Sequence, residues 1–422
     1  MDPSHSSSST VDRLPSERST PERLFDTAAQ LFWEKGYATT TTREIAAAVG
    51  IQQASLYYHV ASKEDLLYQL SVSSMEQLRQ HVQESLRVSA NPMERIRIFI
   101  HAHLDVLLKH QIRHVTILTE LRALSGRHHT AVVHLRKNYA ELVRALLAEG
   151  QTAGAIRRDI PAKYLYLALL NIVNWAVLWF RREQALAADQ LAELFSQVYL
   201  NGAAAASARV PLALPDFDQH SKRARAARSA RKSTSERLID TAASLFARKG
   251  YGATSTREIA AALGIQKASL YHHIGDKEEL LFGICQSSLQ QIRSDVEAAI
   301  REVSDPLERV GALVCAHLES MLRDLERHSV AVGEMHLLSA ERFAQVRVLR
   351  DAYENLVRSV LQDAQKAGAL RGDIPVKYLC LTLLGLMNRV EVWYSRRGKL
   401  SPHQFGQLLA VLFLTGAAAS RD

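Results

Sequence analysis

The feature that most constrains this chain is an internal repeat of its sequence. The phrase ASLYYHVASKEDLL at residues 54–67 recurs as ASLYHHIGDKEELL at 268–281, which lies 214 positions further along. With that offset held and no gap, residues 22–68 match their counterparts at 32 of 47 positions, and residues 69–208 match theirs at 51 of 140. At 422 residues the chain is long enough for two to four domains. We therefore expect two similar units, whose opening segments need the same surface while the remainders are free to differ.

Each unit opens with two short helices joined by a glycine turn. Thr41 and Glu44 fit a capping box, which predicts a helix that starts there and ends at Gly50. Soon after, Leu56 and Val60 lie four positions apart and predict the buried face of a second short helix. The same signals recur in the second copy. Two such helices, with a polar and aromatic outer face on the second, predict a helix-turn-helix.

These residues resemble a known family. The segments GYATTTTREIAAAVGIQQASLYYHVASKEDLL and GYGATSTREIAAALGIQKASLYHHIGDKEELL are similar to the DNA-binding domain of TetR-type bacterial transcriptional regulators. The glycine-tyrosine pair, the threonines, the REIA helix, the glycine-isoleucine pair, SLYYH and KEDLL all fall at the family's spacing. Each copy also has about the family's usual length, so the resemblance covers nearly the whole chain. Such regulators ordinarily have one unit per chain and act as homodimers, and this chain departs from that pattern.

The helical pattern and the resemblance together predict an all-α fold made of two TetR-like units in tandem. Ten prolines and the lack of alternating β-branched runs favour helix. Each unit is expected to hold a three-helix DNA-binding domain, here called a head, followed by a helical-bundle effector and dimerisation domain, here called a body. The predicted divisions are a disordered tail at 1–20, head 1 at 21–68, body 1 at 69–208, a basic linker at 209–233, head 2 at 234–282 and body 2 at 283–422.

The resemblance implies that the second short helix of each head enters the major groove of double-stranded operator DNA. Gln53 can bridge adenine N6 and N7, whereas its counterpart Lys267 prefers guanine O6 or N7. Hydroxyl, guanidinium and ammonium groups nearby suit the phosphate backbone. The predicted DNA-contacting residues are Thr41, Thr42, Arg43, Gln53, Ser55, Tyr57, Tyr58, His59 and Lys63 in head 1, and Ser255, Thr256, Arg257, Lys267, Ser269, Tyr271, His272, His273 and Lys277 in head 2.

The charge distribution suggests how two heads could work together. The net charge is +8, and residues 209–235 hold seven Lys or Arg against two Asp, so +5 of it lies in one segment. Such a linker is solvated and also lies well on a polyanion. It could reach roughly 80 Å when extended, so the two units can fold against each other. We predict an intramolecular pseudo-dimer that reads a near-palindromic operator with unequal half-sites; the alternative is a dimer of chains with four heads.

The bodies are expected to be helical bundles with breaks near Pro92, Gly126, Gly154 and Pro161. Their last two helices, near 161–182 and 188–206 in unit 1, are the most apolar, and the resemblance implies that they form a four-helix dimer interface. Alanines at 203–205 are repeated at 417–419, as close helix packing requires.

The remaining body helices normally surround a small-molecule pocket in this family. Polar or aromatic residues that are identical in both copies are the candidates for its lining. They are His103, Glu120, Arg136, Tyr139, Asn174 and Trp179 in unit 1, and His317, Glu334, Arg350, Tyr353, Asn388 and Trp393 in unit 2. Arg113 and Arg182 are also identical in both copies of the repeat.

A second resemblance concerns the effector. The text TAVVHLRKNYAELVRALLAEGQTAGAIRRDIPAKYL, with NWAVLWF and GKLSPHQFGQLL, is similar to effector domains of TetR-type repressors of fatty-acid and steroid catabolism. Those commonly respond to acyl-CoA thioesters. We therefore predict a repressor that is released by a hydrophobic or acyl-CoA-type metabolite. Because Arg389 and Glu391 replace Trp175 and Val177, the two pockets are expected to differ. The alternative is a ligand-independent DNA-binding regulator or activator.

Other classes find little support in the sequence. The three cysteines share no CxxC spacing, which indicates a reducing compartment without disulfides or thiolate metal sites. There is no glycine-rich phosphate loop and no nucleophile motif, so we expect no enzyme activity, no metal and no cofactor. The apolar stretch at 164–180 could suit a membrane, but charges in its counterpart favour a buried packing helix. The expected location is the bacterial cytoplasm, at the nucleoid when DNA is bound.

Overall fold

The computed structural model describes residues 19–180, 186–202, 233–388, 390 and 400–416. Regular structure in these ranges is helical, which confirms the all-α class and the tandem arrangement. Several predicted features lie outside the described residues: the tail up to residue 18, residues 209–232 of the linker, the alanines at 203–205 and 417–419, and Arg182, Arg389, Glu391 and Trp393.

Unit 1 is built from helices that follow one another with short connections. They are α1 Thr20–Lys35, α2 Thr42–Val49, α3 Gln53–His59, α4 Lys63–Ser85, α5 Pro92–Lys109, α6 Gln111–Thr119, α7 Gly126–Thr152, α8 Ala162–Trp179 and α9 Ala188–Asn201. The predicted breaks near Pro92, Gly126, Gly154 and Pro161 all fall between helices or at their first residue.

Unit 2 repeats the same order. Its helices are α10 Thr234–Lys249, α11 Thr256–Leu263, α12 Lys267–Tyr271, α13 Lys277–Ile300, α14 Pro306–Arg323, α15 Leu325–Glu334, α16 Ala340–Lys366, α17 Val376–Asn388 and α18 Pro402–Thr415. The clearest local difference is α12, which is two residues shorter than its counterpart α3. His272 and His273 form a turn there, and the amide of His273 donates to Leu270 O three residues back, as in a 3-10 turn.

Local capping explains where the head helices begin. The Thr41 hydroxyl accepts from the Glu44 amide, and the Glu44 carboxylate accepts from the Thr41 amide at 2.8 Å, so the predicted capping box is present. Gly50 ends α2 with φ 79° and ψ 33°, a left-handed conformation that a residue with a Cβ rarely adopts. Ser255 and Glu258 form the matching box in head 2. These signals orient α3 and α12 against the helix that precedes them.

Each head has a small core of its own, whereas the two bodies share one. In head 1 the core holds Leu24, Phe32, Ile45 and Leu56, all with almost no exposure. The body core is a single cluster that includes buried residues of both units, because α8 and α9 pack against α17 and α18. The bodies therefore form one continuous apolar interior, and each head keeps a separate core.

Helix α8 has the length and composition of a membrane-spanning helix, yet half of its residues are buried inside the protein. Leu165, Leu169, Ile172 and Val173 belong to the shared core. Its counterpart α17 spans 13 residues and packs directly against it. The burial agrees with the predicted packing role for this stretch.

The two units also touch through polar and backbone contacts. The Arg157 side chain donates to Gly416 O at 3.1 Å, and the Asn171 amide donates to Leu386 O at 3.4 Å. Gly202 and Gly416 follow α9 and α18 at the point where these helix ends meet. A Cβ atom at Gly202 would lie 2.2 Å from Leu414 O, so the backbones approach as closely as glycine allows.

Candidate DNA-binding heads and effector core

The outer face of α3 carries the polar and aromatic groups that the sequence placed there. Leu56 points inward with no exposure, whereas Tyr57 is 48% and Tyr58 89% exposed. The Tyr57 and Thr42 hydroxyl oxygens are 3.1 Å apart, and the Gln53 amide donates to the Thr42 hydroxyl at 3.3 Å. Three of the predicted contact residues, Thr42, Gln53 and Tyr57, are therefore joined by hydrogen bonds across α2 and α3.

Head 2 presents a similar surface. Tyr271 is 45% exposed, and its hydroxyl lies 3.2 Å from that of Thr256. His272 and His273 are also exposed, although they lie in the turn after α12 rather than in the helix. Lys267 is the first residue of α12. The duplicated tyrosine–threonine contact shows that the two heads orient this pair in the same way.

The remaining predicted contacts in head 1 lie beside this surface. Ser55, His59 and Arg43 are exposed, and so is Thr41, whose hydroxyl is engaged as the cap of α2. Glu44, its partner, has its pKa lowered to about 2, first by the hydrogen bond from Lys35 and then by the Thr41 amide. In head 2, Arg257 and Ser255 are exposed and Ser269 is half-buried. Their contacts to DNA remain predictions.

Lys63 and Lys277 have an internal role in addition to the phosphate contact predicted for them. The Lys63 ammonium donates to Tyr37 O and Thr40 O, both at 2.7 Å, and lies 4.4 Å from the centre of the Tyr37 ring. Lys277 repeats this with Tyr251 O at 3.0 Å and lies 4.2 Å above that ring. Burial lowers the pKa of both lysines. Each lysine therefore holds the turn between the first and the second helix of its head.

Three of the predicted effector residues meet inside body 1. The Nδ1 atom of His103 lies 2.7 Å from the Tyr139 hydroxyl, and its Nε2 atom lies 3.2 Å from Asn174 Oδ1. Burial lowers the pKa of His103 to about 4, so the ring is neutral at pH 7. A neutral ring can donate from Nε2 to the amide oxygen and accept the tyrosine hydroxyl at Nδ1. The His103 ring thus has a partner at each of its two nitrogens.

The counterpart cluster in body 2 has unused polar atoms. His317 Nδ1 lies 2.7 Å from the Tyr353 hydroxyl, but its Nε2 has no hydrogen-bond partner among the described residues. Burial lowers the pKa of His317, and Asn388, the counterpart of Asn174, lies close enough to raise it by a smaller amount. Ser320, one turn further along α14, has a buried hydroxyl without a partner in the same ranges, and its unit 1 counterpart is Val106. In body 1, His114 Nε2 also lacks a partner within the described ranges, so body 2 offers more such atoms than body 1.

One residue pair of these clusters was missed by the sequence analysis. His114 and His328, both on the sixth helix of their unit, are buried next to His103 and His317. Burial lowers their pKa values to about 3 and about 4. Both ring nitrogens of His328 lack a partner within the described ranges. The signal was available, because the Arg-His pair at 113–114 recurs at 327–328.

The other predicted effector residues lie elsewhere. Glu120 and Glu334 end α6 and α15, where they accept from the Tyr37 and Tyr251 amides at 3.5 and 3.4 Å. They face the heads and do not join the histidine clusters. Of the remaining predicted residues, Arg136 donates to Ile117 O at 2.6 Å, and Arg350 is exposed beside Asp351. Trp179 packs against Phe180 and Phe195. Trp393 lies outside the described residues.

Helix α6 links the body to the head. Arg113 donates from Nε to Asp26 at 2.5 Å and from Nη2 to Glu22 O at 3.0 Å. Thr116, one turn later, donates to Ala29 O at 3.1 Å. Arg113, Thr116 and Glu120 are three or four positions apart, so they lie on one face of α6, and this face contacts the head. His114 lies on another face of α6, in the body core. The repeat keeps the ion pair, as Arg327 with Asp240.

An open groove of about 600 Å³ runs along the outer side of α4, between Phe25 and Glu84. Its lining includes Tyr68, Gln77 and His81 and none of the predicted effector residues. It is a surface feature separate from the histidine clusters.

The described residues include the three thiols and side chains of the types that bind metal ions. No group of three or more His, Cys, Asp or Glu residues in these ranges is arranged to hold a metal ion. Cys285, Cys315 and Cys380 are buried, and burial raises the pKa of each thiol, to about 12 for Cys285 and Cys380. Thiols with raised pKa values are poor nucleophiles at neutral pH.

Two family models match the chain, and each matches twice. The model described as "Bacterial regulatory proteins, tetR family" matches residues 24–70 and 238–284. The model described as "Tetracyclin repressor-like, C-terminal domain" matches residues 89–203 and 303–417, which is more than half of the sequence. The head and body division is thus repeated along the chain.

Individual relatives match one unit at a time. The HTH-type transcriptional repressor KstR2 of Rhodococcus jostii is 29% identical over 188 residues, covering 44% of this chain and 91% of that protein. The fatty acid metabolism regulator protein of Bacillus subtilis is 24% identical over 38% of this chain and 84% of its own length. Among solved structures, the ketosteroid transcriptional regulator KstR2 of Mycobacterium tuberculosis is 27% identical, with a TM-score of 0.40, covering 42% of this chain and 91% of that one.

Proposed function

Because the chain belongs to the TetR family of bacterial regulatory proteins, with both family domains present twice, we propose that it is a transcriptional repressor with two heads for one operator. DNA-binding regulation is the function of the family and of the similar curated proteins. The finer proposal is that the two units act as an intramolecular pseudo-dimer on a near-palindromic sequence. Such a protein acts in the bacterial cytoplasm, at the nucleoid.

The observation that carries this proposal is the duplicated outer face of α3 and α12. Tyr57 and Tyr271 are exposed to nearly the same extent and hold the same threonine contact, so both heads keep one docking surface. Exposed aromatic and amide groups on a recognition helix suit base edges and phosphates. The shared body core supports joint use of the heads on one DNA face.

The same heads differ where they would read bases. Gln53 and Lys267 occupy equivalent positions, as do Tyr58 and His272. Glutamine prefers adenine and lysine prefers guanine in the major groove, so the two half-sites should be unequal.

Binding-site selection from a random duplex library tests this directly. The full chain should enrich two similar half-sites in inverted orientation that differ at one or two base pairs. The variant Gln53→Lys with Tyr58→His gives head 1 the outer residues of head 2 and should select a more symmetric site. Enrichment of single or direct-repeat sites would contradict the pseudo-dimer, and equal half-sites from the wild type would contradict the inequality.

We further propose that a hydrophobic or CoA-linked metabolite releases the operator by binding in body 2. The unpaired atoms of His317, Ser320 and His328 lie in an apolar surrounding and suit a ligand carbonyl or hydroxyl group. The curated relative that regulates fatty acid metabolism favours an acyl chain. A ligand at His328 would act on α15, whose Arg327 holds head 2 through Asp240. Release follows if the bound form places the heads wrongly for the operator.

Titration calorimetry with saturated acyl-CoAs of increasing chain length tests the effector, with free CoA as the matched control. We expect one site per chain, binding that strengthens with acyl length, and loss of binding in the double variant Ser320→Val with His328→Leu. The corresponding substitution in body 1, His114→Leu, should leave acyl-CoA binding unchanged, and the counterpart of Ser320 there is already Val106. If no acyl-CoA binds and DNA binding persists, the ligand-independent alternative is favoured. Two equal sites per chain would contradict the assignment to body 2.

A further inference from the structure

The two units meet through contacts that differ on the two sides of their interface. In the bundle, Trp175 of α8 packs over Gly385 of α17, where an added Cβ atom would lie 3.1 Å from the tryptophan Cβ. In unit 1 the residue equivalent to Gly385 is Asn171, whose side chain is buried and bonded to Leu386 O. The indole therefore occupies a space that a glycine leaves open and an asparagine would fill.

A second uneven contact joins the head-proximal surfaces, and we call its four residues the clasp: Trp33, Arg122, Glu334 and His336. Arg122, in the turn after α6, forms an ion pair with Glu334, whose side chain is 3% exposed. The Trp33 and His336 rings stack with centroids 3.9 Å apart and planes 8° apart. In the sequence repeat, His336 is the counterpart of Arg122, and Ala247 is the counterpart of Trp33. Three of the four clasp residues therefore differ between the units, whereas Glu334 has the identical counterpart Glu120.

From these contacts we propose that unit 1 and unit 2 are complementary to each other and not to copies of themselves, so each chain closes on itself. Two copies of unit 2 would each keep the buried Glu334 carboxylate and lack the arginine that pairs with it here. A buried carboxylate without a cationic partner is strongly unfavourable. Neutral histidine would not replace the arginine, because burial lowers the pKa of His336 to about 4.

Self-pairing of unit 1 would fail for a different reason. Two copies would place Trp175 against the buried Asn171 rather than against a glycine, and crowding of this kind in a packed core is destabilising. The linker adds to the preference, since tethered partners experience an effective concentration in about the millimolar range. This pairing rule concerns the free protein, so it can be tested apart from operator binding.

The bundle contact is tested by Gly385→Asn in the full chain, which gives unit 2 the residue that unit 1 carries. Asparagine is no worse than glycine within a helix, so a loss of stability would come from crowding of the indole. We expect a melting temperature several degrees lower and, in light scattering, assemblies larger than one chain. Adding Trp175→Ala should recover most of the loss. The control is Gly333→Ala, at a helical glycine with no neighbouring atom within 4 Å, which should not lower the melting temperature.

The clasp is tested by Arg122→His, which copies the residue of unit 2. The melting temperature should fall by several degrees, and Glu334→Gln in the same chain should recover part of the loss because an amide needs no arginine. Recovery in both pairs, with a wild type of one chain's mass, supports the proposal. It is overturned by a wild-type dimer of chains, by unchanged melting in both single variants, or by failure of both second substitutions to recover stability.

Discussion

At the scale of single residues, one lysine ammonium group in each head holds the turn between the first two helices. The Lys63 side chain reaches back over the Tyr37 ring to two backbone carbonyls of the turn between α1 and α2. Hydrogen bonds from a charged donor are stronger than neutral ones, and partly buried carbonyls lose their partners if it is removed. Lys277 makes the same contacts in head 2, so one lysine can be changed while the other serves as reference.

The first prediction is that Lys63→Met loosens this turn. We expect a loss of about 1–2 kcal/mol of local stability, because two carbonyls lose a charged donor. Hydrogen exchange read by mass spectrometry should show faster exchange of the amides at residues 36–42. The amides at 250–256 should be unaffected and provide the internal control. Equal protection in both turns would contradict the role assigned to Lys63.

At the scale of elements, the ends of α9 and α18 pass closer than side chains permit. Gly202 has φ 78° and Gly416 has φ 75°, and each lies against backbone atoms of the opposite unit. The conformation and the contact both call for glycine at these two positions. Since they stand where the bodies join, they control how tightly the units pack.

The second prediction compares two glycines with nearly equal φ. Gly202→Ala should lower the free energy of unfolding by about 2–4 kcal/mol, because strain from positive φ is added to overlap with Leu414 O. Gly154 has φ 75° with no atom within 4 Å of an added Cβ, so Gly154→Ala should cost only about 1 kcal/mol. Denaturant unfolding of both variants measures the difference. Similar costs would show that the close approach contributes nothing.

The elements also show what the sequence could and could not reveal. Helix starts such as Thr41 with Glu44 were predicted because capping is decided by residues three positions apart. The repeat identified His103, Tyr139 and Asn174 as a group, and the structure brings them together. Glu120 was grouped with them because it is also repeated, but it faces the head. Identity between copies marks a required residue without saying which surface requires it.

Contacts between the units were beyond reach for a related reason. Nothing near Trp175 or Gly385 in the sequence signals that one covers the other, since they are 210 positions apart and differ from their own counterparts. Comparing the two copies reveals what they share, and these contacts depend on what they do not share. The shortening of α12 after Tyr271 also escaped prediction, because it follows from a turn at His272 and His273 within otherwise similar text.

At the scale of the whole molecule, two heads are attached to one interior. Each is gripped by the sixth helix of its own unit, through Arg113 in unit 1 and Arg327 in unit 2. The interior beneath them is a single cluster, and the sixth helix of each unit packs against helices that belong to this cluster. The same interior contains neutral histidines, and their titration links the stability of the whole molecule to pH.

The third prediction concerns acid stability. Burial lowers the pKa values of His103, His114, His317 and His328 to between about 3 and about 4, against about 6.5 in an unfolded chain. Above about pH 6.5 both states are neutral at these rings, so no penalty arises. As pH falls below that value the unfolded chain binds protons that the folded chain cannot, and stability declines down to about pH 4.

Melting temperatures measured between pH 7.5 and 4.5 check this prediction. His328→Leu should reduce the decline, because one proton-binding difference is removed. His129→Leu, at an exposed histidine, is the control and should leave the decline unchanged. An identical pH dependence in wild type and His328→Leu would show that this ring contributes nothing to the acid response.

The packing of Trp175 against Gly385 has a consequence for how this protein can accumulate substitutions. In a symmetric homodimer every substitution appears at two related places at once, so a bulky side chain near the axis meets its own copy. In the single-chain pairing proposed above, each substitution occurs only once. Under that proposal a change in one half can be compensated by a different residue in the other half, and each head is free to adapt to its own proposed half-site. Mutational screens of this protein should therefore find suppressors in the half opposite to the original lesion.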